Sequence, residues 1–267
     1  MKGRRRKSIT QLLTLAALGL ALTGCESLPS VGPERDETGS LGVERKTGPA
    51  DTYVDLAIGY LQEGDVATAL KRAKYALELD PDHAKGNGVI ALIYERLGED
   101  SLAAKHYQAS LRLEPRNPYM LNAYGAFLCS QGDYAQAVQQ YDKALENPLY
   151  STPEVALTNA GICLRLQGDL SRAEGYFRRA LERENRFPQA LAQMALVSQD
   201  RGSTLSARAY LERYLAEGPP SAELLWLGVR VERQLGDSKA AEHYTRRLRE
   251  TYPDSREVQL MQESSYR

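Results

Sequence analysis

Residues 64–100 read GDVATALKRAKYALELDPDHAKGNGVIALIYERLGED, and this stretch begins with a glycine-acid pair that recurs just before its end. Similar pairs follow along the chain, and successive glycines are separated by 34, 34, 36, 34 and 34 residues. The copies are Gly64-Asp65, Gly98-Glu99, Gly132-Asp133, Gly168-Asp169, Gly202-Ser203 and Gly236-Asp237. A fixed period of this length is typical of stacked-repeat proteins, so the chain is predicted to contain six repeats.

The aligned repeats predict two helices joined at each of these turn glycines. An alanine stands five residues after every turn glycine, which indicates that two helices approach too closely there for a larger side chain. A small residue stands seven residues before each turn glycine, except in the last repeat, where Val229 breaks the pattern. Prolines close most units, because proline cannot continue a helix. The alternative, a helical bundle with accidental repeats, does not explain such regular gaps.

This pattern resembles the tetratricopeptide repeat over roughly residues 50 to 253. The resemblance implies an all-α, right-handed solenoid of six helix-turn-helix units. We expect two extra residues near Ser151 to be accommodated in a loop. Residues 256–267 are expected to form a C-terminal tail that could be a helical cap. The predicted repeats are 50–83, 84–117, 118–153, 154–187, 188–221 and 222–255.

The N-terminus has the pattern of an export signal. Five basic residues between Lys2 and Lys7 precede an apolar run from Ile9 to Leu22, which at 14 residues is too short to span a membrane. The run ends in Leu22-Thr23-Gly24-Cys25, which resembles the bacterial lipobox. Residues 1–24 are therefore predicted to be a lipoprotein signal peptide, with the Cys25 thiol acylated. The alternative is a non-lipidated signal peptide that contains a cysteine by chance.

The resemblance to lipoproteins implies an anchored rather than a membrane-spanning protein. Glu26 follows the cysteine where an aspartate would favour retention in the inner membrane, so the expected location is the periplasmic face of the outer membrane. Residues 25–49 are rich in proline, glycine and charge without an apolar period. This segment is predicted to be a flexible tether.

Composition and motifs favour binding over catalysis. Removing residues 1–24 leaves 29 basic against 35 acidic residues, which makes nucleic acid an unexpected partner. His83, His106 and His243 lack the spacing of metal ligands and are interpreted as surface residues. Acidic residues beside cations, as in Glu95-Arg96, are interpreted as solvated. No motif for phosphate, dinucleotide or nucleophilic chemistry occurs, so neither an enzyme nor a cofactor, metal or small-molecule substrate is predicted.

A six-repeat solenoid supplies a long concave groove lined by the first helix of each repeat. The spacing of Trp226, Arg230 and Arg233 places one aromatic and two cationic side chains on one helical face, a mixture that suits a peptide. Packing of the single tryptophan between repeats is an alternative. Because the lysines of a chaperone-type carboxylate clamp are missing, recognition of a free C-terminus is not expected. The candidate partner-binding residues are Asn122, Asn159, Arg165, Trp226, Arg230 and Arg233.

The repeats also resemble a particular family. The strings LNAYGAFLC (121–129), ALTNAGIC (156–163) and SAELLWLGVRVERQLG (221–236) are similar to the type IV pilus biogenesis lipoproteins, the pilotins PilF and PilW. The resemblance implies an outer-membrane lipid anchor and binding of PilQ-type secretin subunits during secretin localisation and assembly. A tetratricopeptide-repeat scaffold for another envelope machine, such as a tight-adherence pilus or peptidoglycan enzymes, is the alternative.

Cys129 and Cys163 are the two thiols left once Cys25 is acylated. They lie near the ends of the first helices of consecutive repeats, 34 residues apart, and the exported location favours oxidation. A disulfide is possible if their Cα atoms lie within roughly 7 Å. The alternative is two buried free thiols, since cysteine packs well as a small apolar residue.

Overall fold

Thirteen α-helices follow one another between residues 48 and 265, the part of the chain that this computed structural model describes. No strand occurs within that range. The predicted signal peptide and Cys25, with nearly all of the predicted tether, lie outside it. The helices are α1 (Pro49–Gln62), α2 (Val66–Leu79), α3 (Ala84–Arg96), α4 (Asp100–Leu113), α5 (Pro118–Ser130), α6 (Tyr134–Leu145), α7 (Pro153–Gln167), α8 (Leu170–Arg183), α9 (Pro188–Asp200), α10 (Thr204–Leu215), α11 (Ala222–Leu235), α12 (Ser238–Thr251) and α13 (Arg256–Ser265).

The recurring glycine-acid pair forms the turn inside each helical hairpin. All six turn glycines have φ between 73° and 91°, a left-handed conformation that glycine adopts without steric cost. In four repeats the following aspartate caps the second helix, because its side chain accepts a hydrogen bond from the backbone N–H three residues later. Glu99 and Ser203 make no such side-chain bond.

The two helices of a repeat pack a small residue against an aromatic ring. A Cβ added to Gly161 would lie 2.4 Å from the Phe177 ring. In the last repeat Gly228 has the same role, since an added Cβ there would lie 2.7 Å from Tyr244. The irregularity expected at Val229 is therefore compensated, because the small residue and the ring have both moved one position toward the N-terminus.

Contacts between repeats define an inner and an outer layer. Neighbouring first helices contact each other directly, as α1 with α3, α5 with α7, α7 with α9 and α9 with α11. Each second helix packs instead against its own partner and the first helix of the next repeat. The first helices therefore lie on the inner, concave face. The tetratricopeptide-repeat solenoid that the resemblance implies is confirmed.

The two ends of the array show how it is closed. α1 begins at Pro49, the last residue of the predicted tether. A proline at the first position of a helix costs nothing, because that N–H has no partner within the helix. At the other end, α13 packs on α11 and buries Val258 and Met261 in the core of the last repeats.

Candidate protein-binding groove

One row of side chains runs along the concave face, six residues before each turn glycine. Five of its members are apolar and the last is a cation. Leu196 is buried, three members are half-buried, and Ala126 and Arg230 are exposed. We call this the inner row: Ile58, Leu92, Ala126, Ile162, Leu196 and Arg230.

The N-terminal end of the groove holds a surface depression between α1 and α3. It is lined by Leu61, Gln62, Leu92, Glu95 and Arg96. The Arg96 guanidinium donates a hydrogen bond of 2.9 Å to the Leu61 carbonyl, which ties the two helices together. The charged head of Arg96 is thus held beside the depression, whose apolar surface comes from the two leucines.

Glu95 differs from its predicted place on a solvated face. Its carboxylate is partly buried and accepts a 2.6 Å hydrogen bond from the hydroxyl of fully buried Tyr107. Burial, together with this bond and the charge of Glu95, raises the pKa of Tyr107 far above its usual range, so the phenol remains a neutral donor. No sequence pattern indicates this pair, because the partners lie on different helices of a repeat.

In the middle of the groove the structure brings two predicted residues together. The Asn159 side-chain Nδ2 donates a 3.1 Å hydrogen bond to Asn122 Oδ1, which links α7 to α5. Near the ends of these helices the structure joins Cys129 and Cys163 in a disulfide, with a Cα separation of 5.7 Å that suits such a bond. The inner helices of repeats three and four are therefore connected at two points.

The predicted cations fall into two situations. Arg165 Nε lies 3.2 Å from Asp200 Oδ2, an ion pair that offsets its charge. The Arg233 guanidinium lies 6.0 Å from the ring centroid of Trp226, within the range of a cation–π contact. Arg230 is exposed, and no carboxylate of the described residues lies within ion-pair distance of it.

Trp226 has both of the roles that the sequence left open. It is half-buried and packs against the core of the last repeats, yet it also presents part of its ring beside Arg233. The described contacts do not join this group to the Asn122–Asn159 pair. The six candidate residues thus form separate groups. Of the inner row only Arg230 is among them, although the same repeat alignment contains the other five members.

Two of the three histidines differ from their interpretation as surface residues. His83 caps α3: its Nδ1 accepts a 3.0 Å hydrogen bond from the Gly86 N–H, and its Nε2 lies 3.1 Å from Asp51. His106 is half-buried, with Nδ1 2.9 Å from Asn87 Oδ1. His243 is exposed.

Two other kinds of feature do not occur within residues 48–265. No cluster of three or more potential metal ligands occurs among the described side chains. None of the helices in this range combines the length and the hydrophobicity that crossing a membrane would require.

Comparison with known proteins identifies relatives across most of the chain. The tetratricopeptide-repeat family models match residues 54–119 and 118–185. The type IV pilus assembly protein PilF of Pseudomonas aeruginosa PAO1 is 29% identical over 245 residues, which cover 92% of this chain and 95% of PilF. A protein of Haemophilus influenzae whose function is not described is 30% identical over 114 residues, or 43% of this chain and 64% of its own length.

Solved structures agree with this relationship. The structure of Pseudomonas aeruginosa PilF superposes with a TM-score of 0.74 and 30% identity, covering 80% of this chain and 97% of that one. PilW, described as a widely conserved type IV pilus biogenesis factor, gives a TM-score of 0.75 and 30% identity over 80% of this chain and 99% of PilW. The chain belongs to the family of tetratricopeptide-repeat proteins of type IV pilus biogenesis that includes PilF and PilW.

Proposed function

We propose that this protein is a pilotin, an outer-membrane lipoprotein that binds secretin subunits and promotes their localisation and assembly in type IV pilus biogenesis. The observation that carries the proposal is the similarity to PilF along nearly the whole length of both chains. The lipobox-like sequence that ends at Cys25 supports the anchor. A solenoid with a concave groove supports binding of a protein segment, since stacked repeats provide extended binding surfaces.

In this proposal the lipid and the groove act together. Acyl chains contribute about 0.8 kcal/mol of membrane affinity per buried methylene group. The groove holds a secretin segment, so the bound subunit is carried to the membrane on which the secretin ring assembles. Because the tether keeps the solenoid close to the bilayer, the effective concentration of the groove at the membrane surface is high.

The anchor is tested by Cys25→Ala. The variant should fold with unchanged helicity but no longer fractionate with membranes, and secretin multimers should decrease, because the thiol is the only atom that can be acylated. Membrane fractionation and immunoblotting of secretin multimers measure both effects. Normal amounts of the variant in the outer membrane would remove the lipid from the mechanism.

The partner is tested by co-purification of the lipidated protein from outer membranes, in which secretin should be recovered. A scaffold for a tight-adherence pilus or for peptidoglycan enzymes is the second candidate, favoured only by the general nature of the repeat. Predominant recovery of peptidoglycan enzymes, with secretin still reaching the outer membrane in a deletion strain, would support that alternative.

The groove is tested by changing Trp226 and Arg230 together to alanine. If these residues are binding hot spots, partner affinity should fall by about 2 kcal/mol or more. Arg249→Ala is the matched control, since Arg249 is exposed on the second helix of the same repeat. Glu95 would be a poor control, because its carboxylate bonds to buried Tyr107. A large loss of melting temperature in the double variant would indicate that Trp226 serves packing alone.

A further inference from the structure

The groove has chemically different ends. At repeats one and two, the depression between α1 and α3 offers Leu61 and Leu92, while the heads of Arg96 and Glu95 are engaged in hydrogen bonds within the protein. At repeat six, the inner row ends in exposed Arg230. A ligand that covers the groove therefore meets aliphatic surface at one end and a cation at the other.

The middle of the groove offers carboxamides. A primary amide has two donor hydrogens and an acceptor oxygen with two lone pairs. The bond between Asn159 and Asn122 uses one hydrogen of Asn159 and one lone pair of Asn122. The Asn122 NH₂ group and the Asn159 oxygen remain able to bond to a ligand. Such groups pair with the free N–H and C=O groups of an extended chain, whereas a helix has already satisfied its own backbone.

From these features we propose that the groove binds an extended acidic-aliphatic segment in one direction, with aliphatic side chains at Leu61 and Leu92 and a carboxylate at Arg230. This inference rests on the proposed function for the use of the groove, but it specifies the chemistry and direction of the occupant. With inner helices about 9 Å apart, the four steps from α3 to α11 span about 36 Å, or about 11 residues of extended chain.

Charge complementarity selects the acidic end. Arg165 is already paired with Asp200, so a carboxylate gains less from it. Arg230 lies one helical turn from Trp226, whose half-exposed ring can cover the stem of an acidic side chain and shield the ion pair from water. An acidic residue is therefore favoured at repeat six, and a basic residue there would be repelled.

The test is site-specific photo-crosslinking of the full-length lipidated protein in cells that make type IV pili. p-Benzoylphenylalanine replaces Leu92 in one variant and Trp226 in another, which leaves Arg230 in place. The same probe at Arg249, exposed on the outer helix α12, controls for random contact. Cross-linked peptides are then sequenced by mass spectrometry.

We expect both probes to label one segment of one protein, at positions about 11 residues apart, with aliphatic residues near the Leu92 probe and an acidic residue near the Trp226 probe. Adding Arg230→Glu should lower labelling from the Trp226 probe about tenfold, and Arg230→Lys should retain most of it. Labels in unrelated segments, a segment without an acidic residue, insensitivity to Arg230→Glu, or labelling no stronger than at Arg249 would each overturn the inference.

The same experiment separates the two proposals. If an acidic-aliphatic segment is labelled in the expected order but belongs to a protein other than the secretin, the proposed function fails and the inference stands. If the secretin is labelled at segments that do not match this order, the proposed function stands and the inference fails.

Discussion

Helical glycines in this protein differ in what surrounds them. Gly88 makes room for the Met120 sulfur, 2.4 Å from where a Cβ would lie, and Gly161 makes room for the Phe177 ring. Gly175, in α8, has no neighbouring atom within 4 Å of an added Cβ. Glycine lowers helix stability by about 1 kcal/mol relative to alanine. Gly161 is therefore required by the packing of the Phe177 ring, whereas Gly88 faces the flexible end of a methionine that can shift and Gly175 faces no neighbour.

Gly161→Ala should destabilise the protein. The added methyl group would overlap the Phe177 ring, and overpacking of this kind costs about 1–3 kcal/mol, which exceeds the gain of about 1 kcal/mol in helix propensity. Chemical denaturation should show a lower free energy of unfolding. Combining the change with Phe177→Leu should recover part of the loss, because the smaller side chain can move away.

Gly175→Ala is the matched control for this prediction. With no neighbour to displace, it should stabilise the protein by about 0.5–1 kcal/mol. Equal stabilisation by Gly161→Ala and Gly175→Ala would show that the helices separate easily and that the small residues are not required by packing.

His106 makes stability depend on pH. Burial, followed by the charges of Lys105 and Lys74, lowers the pKa of His106 below its usual 6.5. The unfolded chain then binds more protons than the folded protein just below pH 6.5, so this contribution is complete above that pH and is lost as the pH falls. We expect the melting temperature to fall between pH 7.5 and 5.5, and to fall less in His106→Gln, which can still donate to Asn87. An equal fall in both proteins would assign the effect to other groups.

At the scale of helices, α5 and α7 are the inner neighbours within residues 48–265 that a covalent bond joins. The disulfide between Cys129 and Cys163 and the bond between Asn122 and Asn159 both cross this contact. The chain between α6 and α7, residues 146–152, is the longest connection between the described repeats. The two additional residues lie in it. Tyr150 in that loop is buried, and its ring centroid lies 5.2 Å from that of Tyr119. The disulfide and the packing of Tyr150 therefore stabilise the structure around the two additional residues.

Reduction of the disulfide should destabilise repeats three and four. The bond closes a loop between residues 34 apart, for which the chain-entropy model gives a stabilisation of roughly 3–4 kcal/mol. Unfolding of oxidised and reduced protein with Cys25 absent should differ by about this amount. Thiol titration of the unreduced, denatured protein should detect no free thiol. Two titratable thiols would show that the cysteines are simply packed together.

How far the sequence predicts these elements depends on the range of the interaction. The turns and helix pairs follow from residues close in the chain, such as Gly168 and Asp169, so the period predicts them. The bond between Glu95 and Tyr107 joins two helices, and nothing near either residue indicates it. Placing Asn122 and Asn159 on one face was possible, but their direct bond depends on how neighbouring repeats are offset.

At the scale of the whole array, stability is carried from each repeat to the next. In such a linear arrangement, a terminal repeat has a neighbour on one side only and opens more easily than the central ones. The described C-terminal end is covered by α13, whose Val258 and Met261 are buried against the core that includes α11. This helix takes the place of the first helix of a further repeat, so it should determine how far the last repeat opens.

Removal of residues 256–267 should therefore loosen repeat six while leaving the first repeats unchanged. Each apolar side chain that loses its cover when α13 is removed costs about 1.5–3 kcal/mol. This is enough to speed local opening well over tenfold. Hydrogen exchange measured by mass spectrometry should accelerate in α11 and α12 but not in α3 and α4. Gln259→Ala, on the exposed side of α13, should change neither region. Equal acceleration in every repeat would show that the array unfolds as one cooperative unit, and unchanged exchange in α11 would show that α13 contributes no stability.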